Sequence, residues 1–284
     1  MDNKKILLSI DLDGTLLRDD KKIDDVSFKY INRLKDSGYK LVINTGRSYR
    51  TAARFFKDEI DIDIICNNGN LCRNVRSEED IFINPIKKED ALLFLNDLDD
   101  NKIQALTHIN LYKEGYDIAT IDKKDMDEKC RLYIGGFGDH VLYVNDFDEV
   151  EADITSIVFV GEYEDLLPYK LKFSEMSDKF NYFLMRIQSK NNYMLEILPK
   201  KSNKWYGLEE YMENKNLTSY KKLCIGDDEN DRLMIEEADY GIAMLNSKDD
   251  LKANVAFVSD YDNNNLGAIK AIEKILKTGD LDEY

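Results

Sequence analysis

The chain has 284 residues, enough for one large domain or two moderate ones, and its 43% apolar and 34% charged content is that of an ordinary globular protein. A formal net charge of −16 argues against extended contact with nucleic acid or an anionic membrane surface. No apolar run approaches the roughly 20 residues that span a bilayer, MDNKKILLSI lacks the features of a secretory leader, and four cysteines without CxxC or metal-ligand spacing suit a reduced, cytoplasmic chain.

Strands and helices alternate at the N-terminal end. KKILLSI reads as a strand, and it runs directly into Asp11-x-Asp13-Gly14-Thr15. Val26, Tyr30, Ile31 and Leu34 recur at helical spacing and predict a helix over residues 24–37, with Gly38 as its stop. YKLVINT is a second strand leading to Thr45-Gly46-Arg47, and residues 49–57 form a second helix. DIDIIC is a short third strand that closes on the turn Asn67-Asn68-Gly69.

From about Pro85 the rhythm changes. A helix at 87–98, a run of short strands, and then TSIVFVG and NYFLMRIQ predict an α+β insert over residues 85–189. Within it IGGFGD, residues 134–139, neither opens a helix after a strand nor carries dinucleotide-binding spacing, so it is expected to be a turn. Lys204 follows YMLEILP by a few residues. KKLCIG is then a strand leading into Gly226-Asp227-Asp228-Glu229-Asn230-Asp231. A helix at 229–237, the strand YGIAM, and helices at 248–253 and 265–277 complete the pattern, and GDLDEY is expected to be a solvated acidic end. Apolar strands separated by helices predict an α/β fold: a Rossmann-like, doubly wound parallel sheet built from residues 1–84 and 190–284.

Ligands bind outside the carboxyl ends of the strands in such a sheet, so three of the four polar clusters should converge on one rim. Converging carboxylates repel, and that cost calls for a cation. Asp11, Asp227 and Asp231 offer hard oxygen ligands suited to Mg²⁺, with positions left for water or a substrate phosphate. Lys204 adds a positive charge and Thr45 a hydroxyl donor, a set suited to holding a phosphoryl group. One aspartate of the Asp11-x-Asp13 pair can then attack phosphorus, while its neighbour handles the proton of the leaving oxygen and later of water. Each cluster alone has a plainer reading. An isolated DxD is usually a solvated turn, TGR a common strand-to-turn sequence, Lys204 a surface lysine, and GDDEND an acidic first helical turn favoured by the dipole. Their joint occurrence in this order favours the catalytic reading. His108 and His140 lie in the insert without a triad or metal pattern and are expected to be structural or to touch substrate, and Cys224 reads as core packing.

DLDGTLL, TGR, the single Lys204 and GDDEND resemble the four motifs of the haloacid dehalogenase superfamily of phosphohydrolases. The order of segments is similar to that of its Cof-type branch, whose large (type IIB) cap domain lies between the second and third motifs; Asn67-Asn68-Gly69, EILPKKSNK and GIAMLN are further matches. The resemblance implies that Asp11 is the nucleophile and a Mg²⁺ ligand. It implies that Asp13 is the acid/base and binds the metal through its backbone carbonyl, and that Asp227 is the remaining protein ligand, with Asp231 in support. Thr45, Gly46, Lys204, Asn230 and the Leu12 backbone would hold the phosphate. The chain departs from the family at Lys201, Trp205 and Leu245, where glycine is usual, all around Lys204 and the phosphate rim. The implied activity is Mg²⁺-dependent hydrolysis of a small phosphorylated metabolite, with a sugar phosphate favoured and the cap setting the choice. The alternatives are a phosphomutase of the same superfamily and, from another class, a phospho-aspartate signalling receiver, which is far shorter and lacks the second aspartate before Gly-Thr. No obligate protein partner is evident from the sequence.

Overall fold

The computed structural model describes residues 5–98, 103–121, 126, 128–176, 178–187 and 192–278, with side chains to residue 276. The acidic end at 279–284 and the expected 189/190 boundary lie outside the described residues.

Strand β1 (Ile6–Ile10) is buried at every position, as its continuous apolar run requires of a central strand covered on both faces. Helix α1 (Asp25–Asp36) buries Ser27, Tyr30, Ile31 and Leu34, one stripe at helical spacing, and ends where Gly38 takes a φ of 96°. Strand β2 (Lys40–Asn44), helix α2 (Tyr49–Ala53) and strand β3 (Asp63–Cys66) follow; the last two are shorter than the pattern at 49–57 and 61–66 predicts. Two strands that the sequence reading lacks, β4 (Leu71–Asn74) and β5 (Asp80–Ile83), continue the sheet, β4 antiparallel to β3.

The middle of the chain forms α3 (Lys88–Leu95), β6 (Gln104–Leu111), β7 (Tyr116–Ile121), α4 (Glu128–Gly135), β8 (Val141–Val144), β9 (Ile154–Gly161), α5 (Tyr163–Met176), β10 (Phe180–Arg186) and β11 (Tyr193–Pro199). These strands make a six-stranded sheet in the order β10-β11-β9-β6-β7-β8. One of its cores joins Phe94, Phe159, Phe173 and Leu195, and another packs Leu106, Ile118 and Val158 with Cys130 and Ile134 of α4. The glycine-rich stretch is a turn only in part, because Ile134 and Gly135 are the last residues of α4. Both histidines belong to this scaffold. His108 Nε2 lies 2.9 Å from the Tyr133 hydroxyl and burial lowers its pKa to about 4, while His140 Nδ1 donates to the Gly115 carbonyl at 2.7 Å.

The remainder runs through α6 (Lys204–Asn214), β12 (Lys221–Gly226), α7 (Arg232–Glu236), β13 (Tyr240–Ala243), α8 (Asp249–Lys252), β14 (Phe257–Val258) and α9 (Gly267–Thr278). The helix expected at 229–237 starts as a 3₁₀ turn over Glu229–Asp231, and that expected from 265 starts at Gly267. The larger sheet has the order β14-β13-β12-β1-β2-β3-β4-β5, parallel from β14 to β3. Two compact units result: residues to Phe82 together with those from Asn203 on, and Ile83–Ser202. Strand β11 pairs with β10 and β9, and so belongs to the sheet of Ile83–Ser202. Among the described residues no helix is long and apolar enough to cross a membrane.

Candidate active site

Three of the four polar clusters sit at the carboxyl ends of the adjacent strands β12, β1 and β2. The Asp11 amide continues the parallel ladder by donating to Ile225 O at 3.0 Å, which leaves its carboxylate just beyond the sheet, and Asp11 is 3% exposed. Leu12 is fully buried, its carbonyl accepting from the Leu17 amide at 2.7 Å. Gly14 has a φ of 70°, and any side chain there would run into the Asp227 carboxylate. The tight Asp13-Gly14 turn thus exists to let Asp227 approach.

The fourth cluster is the start of α6. Asn203 caps that helix by accepting from the Tyr206 amide at 2.9 Å, and Asn44 Nδ2 donates to the Lys204 carbonyl at 2.8 Å. Lys204 is therefore aimed by its own helix and by β2. Its ammonium, 1% exposed, donates at 2.6 Å to Asp11 Oδ1 and at 2.6 Å to Asp231 Oδ1. The other oxygen of Asp231 accepts from the Asp227 and Asp228 amides at 3.0 and 3.2 Å. Both Asp231 oxygens are engaged, so this residue braces the site.

Carboxylate oxygens of Asp11, Asp227 and Asp231 all lie within 4.8 Å of one another. Three buried or half-buried acids face one lysine, and the imbalance shows in their proton affinities. Burial and then the Asp231 charge push Asp11 up to about 8, and the same two causes push Asp227 up to about 7. Burial works against the charge on Lys204, but Asp11 and Asp231 outweigh it and hold its pKa above the ordinary lysine value.

Asp13 points elsewhere. Arg47 donates to it through Nε at 2.5 Å and Nη2 at 2.7 Å, and Lys21 donates at 2.9 Å. Partial burial would raise its pKa, yet hydrogen bonds from Arg47 and Lys21 outweigh that and lower it to about 2. Around the rim, Thr45 is buried and its Oγ1 accepts from the Arg47 amide at 3.2 Å, while Gly46 and Asn230 are exposed. Asn230 Nδ2 donates to Asn68 Oδ1 at 3.0 Å, and Asn246 Nδ2 donates to Gly14 O at 2.9 Å and Asp227 Oδ2 at 3.2 Å.

The structure thus brings Asp11, Lys204, Asp227 and Asp231 together and turns Asp13 toward two cations. Lys21, Arg47, Asn68 and Asn246 have no role in the sequence reading, although three of them stood inside matched stretches. Only Lys21 carried no signal, because its reach to Asp13 depends on the fold of the intervening loop. Two of the three departures from the family pattern leave the site uncrowded. Trp205 packs on the core beneath the Lys222 ammonium, 5.0 Å from its ring centre, and Lys201 is exposed. Leu245 is 45% exposed beside Asn246.

A family model described as haloacid dehalogenase-like hydrolase matches residues 8–272. The MG265 protein of Mycoplasma genitalium is 28% identical, over 98% of this chain and 100% of its own length. The 5-amino-6-(5-phospho-D-ribitylamino)uracil phosphatase YitU of Bacillus subtilis is 26% identical, over 89% of this chain and 91% of that protein. Among solved structures, TM0651 from Thermotoga maritima has a TM-score of 0.78 at 26% identity, covering 95% of this chain and 97% of that one.

Proposed function

Because the chain belongs to the haloacid dehalogenase-like hydrolase family, we propose that it is a Mg²⁺-dependent phosphatase that cleaves a small phosphorylated metabolite through an aspartyl phosphate on Asp11. The observation that carries this reading is the buried Asp11–Lys204–Asp231 group with Asp227 alongside, at the carboxyl end of a parallel sheet. A lone lysine does not balance that charge.

The donor set fits Mg²⁺. Asp11 and Asp227 present hard carboxylate oxygens whose raised proton affinity marks a demand for positive charge, and the resemblance adds the Asp13 carbonyl. When bound, Mg²⁺ would offset the charge of the phosphoryl oxygens. The residues do the rest. Lys204, Thr45, the Gly46 and Leu12 backbone and Asn230 hold the phosphoryl group against Asp11. An Asp11 oxygen forms a bond to phosphorus as the bond to the leaving oxygen breaks, and Asp13 gives that oxygen a proton. Water then attacks the same phosphorus, passes its proton to Asp13, and releases inorganic phosphate with Asp11 restored. Acting as an acid requires Asp13 to part from Arg47 and Lys21 once substrate is in place.

None of these residues comes from Ile83–Ser202, and we assign that unit the selection of substrate as a cap. The phospho-D-ribityl group in the name of the Bacillus subtilis relative supports a sugar or polyol phosphate. A reducing, cytoplasmic setting accords with four free, buried cysteines. The test is a panel of phosphorylated metabolites scored for inorganic phosphate, with Mg²⁺ and with excess chelator, for the wild type and Asp11→Asn. Release is expected only from the wild type with Mg²⁺. Full turnover in chelator, or by Asp11→Asn, overturns the reading, and phosphoryl transfer between hydroxyls without net release points to a mutase.

A further inference from the structure

The turn Asn67-Asn68-Gly69 has a costly backbone conformation. Three successive residues have positive φ, at 48°, 52° and 92°. Left-handed backbone costs a residue with a side chain on the order of 1–3 kcal/mol, least for asparagine, and persists only where the surroundings over-determine it. Here they do. The Asn67 amide donates to Arg47 O at 2.9 Å and the Asn68 amide to Thr45 O at 3.2 Å, tying the turn to the loop after β2. Gly69 lies against the Asn203 carbonyl and against Gly207, so that a side chain at either glycine would strike backbone. Asn203 caps the helix that begins with Lys204. On the other side Asn68 Oδ1 accepts from Asn230 Nδ2 at 3.0 Å, and both amides occupy the space that a side chain on Gly46 would need. One turn therefore touches the segments carrying Thr45, Lys204 and Asn230.

We infer that Asn68 is a positioning residue of the phosphate site: its side-chain oxygen holds one N–H of the Asn230 amide, so that the other N–H is presented to a phosphoryl oxygen. This rests on the phosphatase reading, in which Asn230 binds phosphate. A primary amide has two N–H donors on one planar group, and fixing the first fixes the direction of the second. Asn230 is exposed and Asn68 half-buried, so a purely structural amide–amide bond would contribute only about 0.5–1.5 kcal/mol. That gain does not call for two consecutive left-handed asparagines beside the glycine of the rim. The left-handed backbone is what brings the Asn68 side chain to Asn230.

Asn68→Gly removes the side chain and keeps the backbone accessible. Binding of inorganic phosphate, measured by calorimetry with Mg²⁺ present, is expected to weaken about tenfold, the loss of roughly one hydrogen bond to a charged group. KM for an aryl phosphate should rise by a similar factor and kcat fall by less. Asn68→Asp keeps both backbone and acceptor but sets a charge beside the phosphate, and it should bind phosphate more weakly than Asn68→Gly. Asn230→Ala should lose as much as Asn68→Gly, and the double variant no more than Asn230→Ala alone. If Asn230→Ala weakens phosphate binding while Asn68→Gly does not, or if the two losses multiply, the inference is wrong and the phosphatase reading stands. Turnover by Asp11→Asn would strike that reading alone, because phosphate binding is measured without turnover.

Discussion

Asp231→Asn tests the organisation of the buried charges. In the native site Asp231 Oδ1 takes the Lys204 ammonium at 2.6 Å, while Oδ2 takes two backbone amides at 3.0 and 3.2 Å. Asparagine offers one oxygen and one NH₂. Either orientation therefore sets donors against donors: the new NH₂ meets the ammonium, or it meets the Asp227 and Asp228 amides. One of the two charges that hold Lys204 is lost as well. Removing a partner from a buried ion pair costs about 3–5 kcal/mol. Lys204 keeps Asp11, so the lower end, about 3 kcal/mol, is expected. At roughly 2–4 °C per kcal/mol for a domain of this size, Tm should fall by about 6–12 °C. Thermal unfolding followed by far-ultraviolet circular dichroism, without divalent cation, reads the shift, and urea unfolding with an unchanged slope confirms that stability alone has moved. A loss under about 1 kcal/mol refutes the reasoning, since it would place Asp231 among exposed pairs.

Asp11 and Asp227 keep protons in the folded chain up to about 8 and about 7, against an ordinary 3.8. Between about pH 4 and 8 the folded state therefore binds more protons than the unfolded one, so stability without divalent cation should fall as pH rises through that window. Added Mg²⁺ should raise Tm most near the upper end; a pH-independent Tm without the cation would contradict the shifts. Asp13→Ala should release a burst of phenolate from an aryl phosphate, close to the enzyme concentration, and then stall, because water activation is worth roughly 10²–10⁴-fold. A linear time course at near-normal rate rejects the role given to Asp13. Gly69→Ala meets both a φ of 92° and the Asn203 carbonyl, 2.1 Å from the added carbon. It should cost at least about 2 kcal/mol and weaken phosphate binding together, and a wild-type Tm would show that the turn is not under the constraint described.

The strands around the site were legible because β1, β2, β12 and β13 lie inside a sheet covered on both faces, which demands unbroken apolar runs. LCRN and DIFI were not, because β4 and β5 are short and carry Arg73 and Asp80, which pair at 2.6 Å. YMLEILP looked like a strand, but nothing within it says which sheet it joins; it pairs with β9 and β10. Strand-end clusters announced Asp11, Asp227 and Asp231, and the stretch after YMLEILP announced Lys204. Pairings between distant segments, such as Lys21 with Asp13 or Asn230 with Asn68, leave no local trace.

In the larger sheet β1 lies between β2 and β12, and its register with β12 starts at Ile6 and Lys221. The unit Ile83–Ser202 is contiguous in sequence, whereas its neighbour is split around it. During synthesis the usual order is therefore inverted: the inserted unit can complete its own sheet while β1, apolar on both faces, still waits for a partner not yet translated. The nascent N-terminal strands are the aggregation hazard of this chain, and a product truncated before β12 should be insoluble even though its middle third is folded. Asp11 and Lys204 meet only when the last third arrives, so the candidate site is among the final parts to assemble.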